Sequence, residues 1–179
     1  MALPIEAGEW SADNSHSRIG FTGKHLGGLA KVRGSFKEFN LNVEVGDTLE
    51  SSKVTATVDL LSVDTGNADR DNHLKSEDFF GASENPEINF VSTAISGTPD
   101  DFKITGAMTI NGKTLPVTFD AEFGGSAQDP WGNTKAGFEA KAEINRTDFG
   151  INWNVPVAEG LLVSEKIKIE IDVELAPAQ

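Results

Sequence analysis

The chain has no cysteine and no tyrosine among its 179 residues. Without thiols it can form no disulfide, no thiolate metal site and no cysteine nucleophile, and its redox compartment leaves no mark on it. Positive charge is scarce: 15 Lys and Arg stand against 28 Asp and Glu, for a formal net charge of −13. Phosphate binding needs clustered cations, so the composition argues against nucleic acid. It also disfavours docking by charge to anionic lipid surfaces. No apolar run approaches the roughly 20 residues of a membrane-crossing helix, so no stable membrane insertion is expected. The start, Met1-Ala2-Leu3-Pro4-Ile5-Glu6-Ala7-Gly8, has neither the basic n-region nor the apolar h-region of a secretory signal. A cytoplasmic location is the expectation. A periplasmic or secreted chain whose leader had been removed would begin in the same way.

What the chain does have is alternation of apolar and polar residues with a period of two. Ile167, Ile169, Ile171, Val173 and Leu175 alternate with Lys166, Lys168, Glu170, Asp172 and Glu174. Similar segments span residues 17–25, 29–45, 52–63, 87–96, 101–110, 114–123 and 134–144, for eight strands in all. Asn111-Gly112 and Thr98-Pro99-Asp100 suit tight hairpins. Short antiparallel connections favour an up-and-down meander, and closing it removes two adhesive edges. The expectation is an all-β, eight-stranded antiparallel barrel forming a single domain over residues 1–179.

One stretch breaks the pattern. Residues 65–80 read as a short helix covering one end of the barrel, inserted between the third and fourth strands. Asn67 is the expected cap, with Asp69 in the first turn where the dipole favours an anion. Asp71 and Lys75 stand i, i+4, and Arg70, His73 and Leu74 share a face.

Several expected inner faces are unusually small. One reads Ala136, Phe138, Ala140, Ala142, Ile144; another reads Phe102, Ile104, Gly106, Met108, Ile110. An eight-stranded barrel is just filled by large side chains, or holds one small ligand when they are trimmed. The small residues fit either an elongated apolar space or close coiling of the strands.

Catalytic motifs are missing: there is no Gly-x-Ser-x-Gly elbow, phosphate loop, His-Glu-x-x-His or dinucleotide fingerprint. A zinc site would require His16, His25 and His73 to converge, yet His16 and His25 are an odd interval apart. Arg70, His73 and Lys75 concentrate positive charge, which suits either an anionic head group or neutralisation by Asp69, Asp71, Glu77 and Asp78.

Specific runs add to this. Asp13-Asn14-Ser15-His16-Ser17 leads into Ile19-Gly20-Phe21 and His25. Val32-Arg33-Gly34-Ser35-Phe36 follows, then Arg70-Asp71-Asn72-His73-Leu74-Lys75-Ser76 and Asp78-Phe79-Phe80. Further on come Pro86-Glu87-Ile88-Asn89-Phe90, Met108-Thr109-Ile110-Asn111-Gly112, Ile144-Asn145-Arg146-Thr147-Asp148-Phe149-Gly150 and Glu165-Lys166-Ile167-Lys168-Ile169. Together they resemble the YceI-like family of polyisoprenoid-binding, lipocalin-like barrels across nearly the whole chain. The resemblance implies a long apolar tunnel that carries or stores an amphiphilic lipid, a polyisoprenoid or isoprenoid quinone. It implies a homodimer and no cofactor beyond the bound lipid.

On strand parity, Phe21, Phe36, Leu60, Phe90, Met108, Phe119, Phe138, Ala140 and Ile169 are the expected tunnel lining. His25, Arg70, His73 and Asn145 are the expected head-group residues, with Phe79, Phe80 and Trp153 at the lid or entry. Two other readings stand beside this one: a lipid- or metal-dependent enzyme using the histidines, and a fully packed barrel that acts as an interaction module.

Overall fold

The computed structural model describes residues 1–158 and 160–178. In chain order the strands are β1 (Gly8–Ala12), β2 (Arg18–His25), β3 (Ala30–Phe36), β4 (Phe39–Val45), β5 (Lys53–Asp59) and β6 (Val63–Asp64). Helix α1 (Ala68–Lys75) comes next. It is followed by β7 (Glu87–Thr98), β8 (Asp101–Ile110), β9 (Lys113–Gln128), β10 (Thr134–Asn145), β11 (Pro156–Val157), β12 (Gly160–Leu161) and β13 (Lys166–Pro177).

Three pairs of these are single long strands with a bend. β1 and β2 are separated by a 3₁₀ turn at Asn14–His16, β3 and β4 by Lys37-Glu38, and β5 and β6 by a 3₁₀ turn at Leu60–Ser62. Counted this way, eight antiparallel strands follow one another round a closed barrel. The ring closes because β13 pairs with β1 through Trp10 and Pro177 and with β2 through Ile19 and Ile171. The expected count and order are those found. The first strand nevertheless begins at Gly8, well before residue 17, and the segments 29–45 and 52–63 are bent where unbroken strands were expected.

The bends have local causes. Asp13 turns its carboxylate back on its own chain: Oδ1 accepts from the Ser15 N–H at 3.0 Å and from Ser15 Oγ at 2.7 Å, and Oδ2 meets His16 Nδ1 at 2.9 Å. An acidic side chain that satisfies nearby N–H groups competes with the sheet ladder and starts a turn. Asp59 does the same for the Leu61 N–H at 2.9 Å. Between β8 and β9, Asn111 and Gly112 have φ of 55° and 73°, the doubly positive conformation of the hairpin turn that Asn-Gly favours.

Along β8 and β9 the expected inward parity holds: Phe102 faces Ala121, Ile104 faces Phe119 and Met108 faces Leu115. Two of the small residues do not make empty space. A Cβ on Gly106 would lie 2.4 Å from the Phe90 ring and 2.5 Å from the Val91 carbonyl oxygen. A Cβ on Gly34 would lie 2.5 Å from the Phe21 ring. These glycines receive neighbouring rings.

The two ends of the barrel differ. At one, the N-terminal segment folds over the opening, with the Leu49 N–H donating to the Met1 carbonyl at 2.8 Å and Leu3 and Leu49 buried. At the other stand α1 with the turns after it, the β2–β3 and β8–β9 hairpins and a strap formed by residues 150–158 and 160–165.

Gly106→Val should lower stability by about 1–3 kcal/mol, read from urea midpoints, because the added branch meets Phe90 and backbone with no room to yield. An unchanged midpoint would show that this wall can move. A second test concerns acid. Hydrogen bonds from His16 and Ser15 lower the Asp13 pKa from 3.8 to about 2. A depressed carboxyl contributes stability above its unfolded value and loses it as pH falls through the folded one. The native chain should therefore lose stability from about pH 4 down to about 2 more steeply than Asp13→Asn. Parallel curves would remove Asp13 from the acid limb.

Candidate functional site

A cavity of about 380 Å³ runs along the inside of the barrel. Ligand pockets commonly fall between about 300 and 1,000 Å³. Its walls are Val, Ile, Leu and Phe side chains from every long strand, with Ala56, Ala121 and Ala140 where width is needed. It ends at Leu3 and Leu49 on the plugged side. At the helix end its lining changes character, because His25, Arg70, His73 and Arg146 reach it there, with the exposed Lys24 at its rim. Ser52 lies at the opposite end, and Glu139, the one acidic lining residue, is on mid-barrel β10 and exposed. In a strongly acidic protein the cavity is therefore apolar along its length and basic at one end.

Helix α1 is set by short-range chemistry. Asn67 Oδ1 accepts from the Arg70 N–H at 3.0 Å, as expected of the cap. Asp71 does not reach Lys75. Its Oδ1 accepts from the Thr65 N–H at 2.9 Å and Thr65 Oγ1 at 2.6 Å, so the helix is tied to the strand end before it. Arg70 completes that knot, donating from Nε to Thr65 Oγ1 and from Nη2 to the Thr65 carbonyl, each at 2.8 Å. Arg70, His73 and Leu74 share the face that lines the cavity.

The strap is held by Arg146, which is only 5% exposed. Its Nε donates to the Ser164 carbonyl at 2.8 Å and its Nη1 to those of Ile151 and Trp153 at 2.9 and 3.0 Å. Nη2 donates to the Val163 carbonyl at 3.2 Å, and the guanidinium lies 5.8 Å from the centre of the Phe79 ring. Burial pushes the guanidinium pKa below its ordinary value, with Glu165 opposing the shift. A buried cation is tolerable when its donors are satisfied, and here backbone carbonyls satisfy them. Lid and strap meet at His73, whose ring stands edge-on to Trp153 at 4.7 Å and to Phe79 at 4.9 Å while Nε2 meets Asp78 at 2.9 Å.

Of the expected tunnel residues, Phe21, Phe36, Phe90, Met108, Phe119, Phe138, Ala140 and Ile169 line the cavity. Leu60 does not. It sits in the 3₁₀ turn that bends the third long strand, completely buried in the wall, because that turn breaks the parity used to place it. At the mouth, His25, Arg70, His73, Phe79, Phe80 and Trp153 line the cavity. Asn145 does not: its Oδ1 caps the 3₁₀ turn Arg146–Phe149, accepting from the Thr147 N–H at 3.0 Å. Arg146 was the missed residue. It continues the inward parity of Ala140, Ala142 and Ile144, the one sequence signal that pointed to it. The three histidines do not assemble a zinc site: His16 stands with Asp13 and Glu174 at the β1–β2 bend, while His25 and His73 are at the helix end.

The YceI-like domain family model matches residues 10–175. The protein YceI of Escherichia coli is 37% identical over 163 residues, covering 90% of this chain and 82% of that one. Among solved structures, BcnA of Burkholderia cenocepacia is similar with a TM-score of 0.76 at 24% identity, covering 91% of this chain and 98% of that one. A polyisoprenoid binding domain from Saccharophagus degradans shares the fold with a TM-score of 0.65 at 10% identity, covering 97% and 100%.

Arg146→Ala should destabilise the chain by at least about 2–3 kcal/mol, since it strands several buried carbonyls. Arg146→Lys should recover only part, because an ammonium cannot reproduce the planar fork. Full stability in either variant, by thermal and urea unfolding, would remove Arg146 as the fastener of the strap.

Proposed function

The chain belongs to the YceI-like family, and from that premise we propose that its barrel binds an amphiphilic long-chain lipid, a polyisoprenoid or isoprenoid quinone, and carries or stores it. The observation that carries this reading is the lengthwise apolar cavity whose basic groups gather at one end. Each buried methylene contributes roughly 0.8 kcal/mol, so a prenyl tail binds with few polar contacts and with loose selectivity for tail chemistry. The head group lies at the helix end beside Arg70, His73 and His25, where donors suit a phosphate or a carbonyl oxygen. The shared fold of the Saccharophagus degradans polyisoprenoid binding domain supports the polyisoprenoid class. An open cavity favours this reading over a packed-barrel interaction module, and the separated histidines weaken a zinc enzyme.

Native mass spectrometry of freshly purified protein, followed by extraction, tests the reading directly. A stoichiometric prenyl lipid is the expected adduct; failure to take up added prenyl quinone would sink the proposal. Ala140 faces Ala121 and Ile171, so Ala140→Phe should lower loading several-fold with the fold intact. Full loading in a folded Ala140→Phe variant would mean that the tail does not pass this point. Arg70→Ala should weaken a charged-headed lipid more than a neutral one, and equal losses would remove Arg70 from head-group recognition.

A further inference from the structure

Net charge hides a local reversal. On the outer face near the helix end, Lys24 stands opposite Lys31 and Thr22 opposite Arg33 across β2 and β3. Lys168 stands opposite Thr22 across β13, and Lys166 precedes it. Five of the chain's 15 basic residues thus share the first two rows of three neighbouring strands. The carboxylates there are Glu143, which pairs with Lys166 at 3.8 Å, Glu165, and Glu170 one row further in. Lys24, Lys31, Arg33 and Lys168 enter none of the ion pairs among the described residues. Lys168 faces Glu143 across β10, but Lys24 and Lys31 face each other, and like charges placed directly across a ladder oppose folding.

Beside the cations is an apolar edge. Leu29 is 77% exposed at the β2–β3 hairpin, and Val155 and Leu161 are 42% and 39% exposed on the strap. The Leu26 N–H donates to the Leu162 carbonyl at 2.9 Å and His25 bridges Val163, which holds hairpin and strap side by side. Leu161 shares one surface groove with the cations. The same edge borders the cavity, whose lining includes Lys24, His25, Leu162 and Val163. Next to it, β3 pairs with β6 only at Ser35 and Phe36, so among the described residues its outer edge beyond Ser35 carries no further ladder on that side.

We infer that this face, cations and leucine edge together, docks the protein on an anionic lipid bilayer with the basic end of the cavity toward the membrane. The inference rests on the lipid-binding reading for its purpose but not for its geometry. Apolar side chains at the β2–β3 hairpin and on the strap, flanked by Lys and Arg, match the interfacial layer, where they enter the acyl boundary and the cations meet head groups. Screening over roughly 8–10 Å confines the field at the membrane to the nearest face, so acids on the other faces oppose docking weakly.

Flotation of the full chain with vesicles tests this. Binding is expected to phosphatidylglycerol–phosphatidylcholine vesicles, not to phosphatidylcholine alone, and it should be released by high salt. Each basic residue at the surface contributes roughly fivefold, so the double variant Lys31→Glu with Arg33→Glu should lose at least tenfold in partitioning. Leu29→Ser should also weaken binding while keeping its salt dependence. Equal partitioning of native and double-variant chains, no preference for anionic vesicles, or capture of an acidic protein with vesicles left alone would each overturn the inference. Uptake of a prenyl quinone delivered from ethanol, read by native mass spectrometry, separates the two readings. A chain that loads but does not float loses the docking face and keeps the cavity function; one that floats but never loads keeps the docking face and loses the cavity function.

Discussion

Closure of the sheet is the constraint on which the rest depends. β13 pairs with β10 on one side and with both β2 and β1 on the other. Around the ring that this pairing closes, inward side chains meet others across a barrel of fixed girth, and β3 beyond Ser35 is the stretch left without a ladder on one side among the described residues. Phe, Ile and Leu fill most of that girth. Where Ala56, Ala121 and Ala140 stand instead, the walls cannot collapse inward without breaking ladder pairs, and space remains. The cavity is thus a consequence of a closed wall with locally small side chains. The glycines act differently, since Gly34 and Gly106 take in the rings of Phe21 and Phe90.

Asymmetry of the ends turns that space into a directional site. One end is stopped by Leu3 and Leu49, apolar and buried. The other is built from segments too short to pack a core of their own, so it is held by specific bonds. Thr65 is the knot for α1, and Arg146 is the knot for the strap. Placing a guanidinium among backbone carbonyls costs desolvation, which its hydrogen bonds offset because each of its three nitrogens has at least one fixed carbonyl acceptor. The lid and strap then touch through the rings of His73, Phe79 and Trp153, side-chain contacts that lie outside the barrel ladder.

Distribution of charge follows the same axis. One group of cations gathers at the helix end, at the cavity mouth and on the β2–β3–β13 face, while others such as Lys53, Lys103 and Lys135 stand on other strands among acids. Composition alone reports only the sum, which is why a strongly negative chain reads as indifferent to anions. Strand register brings Lys24, Lys31, Arg33 and Lys168 together from separate parts of the sequence.

The barrel was legible in the sequence because period-two alternation and Asn-Gly turns are local signals. So was α1, since Asn67 caps it through the next turn. The inward residues of β8, β9 and β10 were legible too, for a regular strand preserves parity. Leu60 and Asn145 escaped that rule at the 3₁₀ turns beside them, where parity ends and side chains turn back to cap or pack. Arg146 had the right parity but the wrong chemistry for a lining residue, until the four carbonyls around it were known. By itself, then, the sequence determined the barrel's regular strands, the helix and their inner faces, all of which depend on neighbours a few residues apart. Only the tertiary structure decided that the interior stays open, that one end is plugged and the other basic, and that scattered lysines form one face, because these depend on closure and register between distant strands.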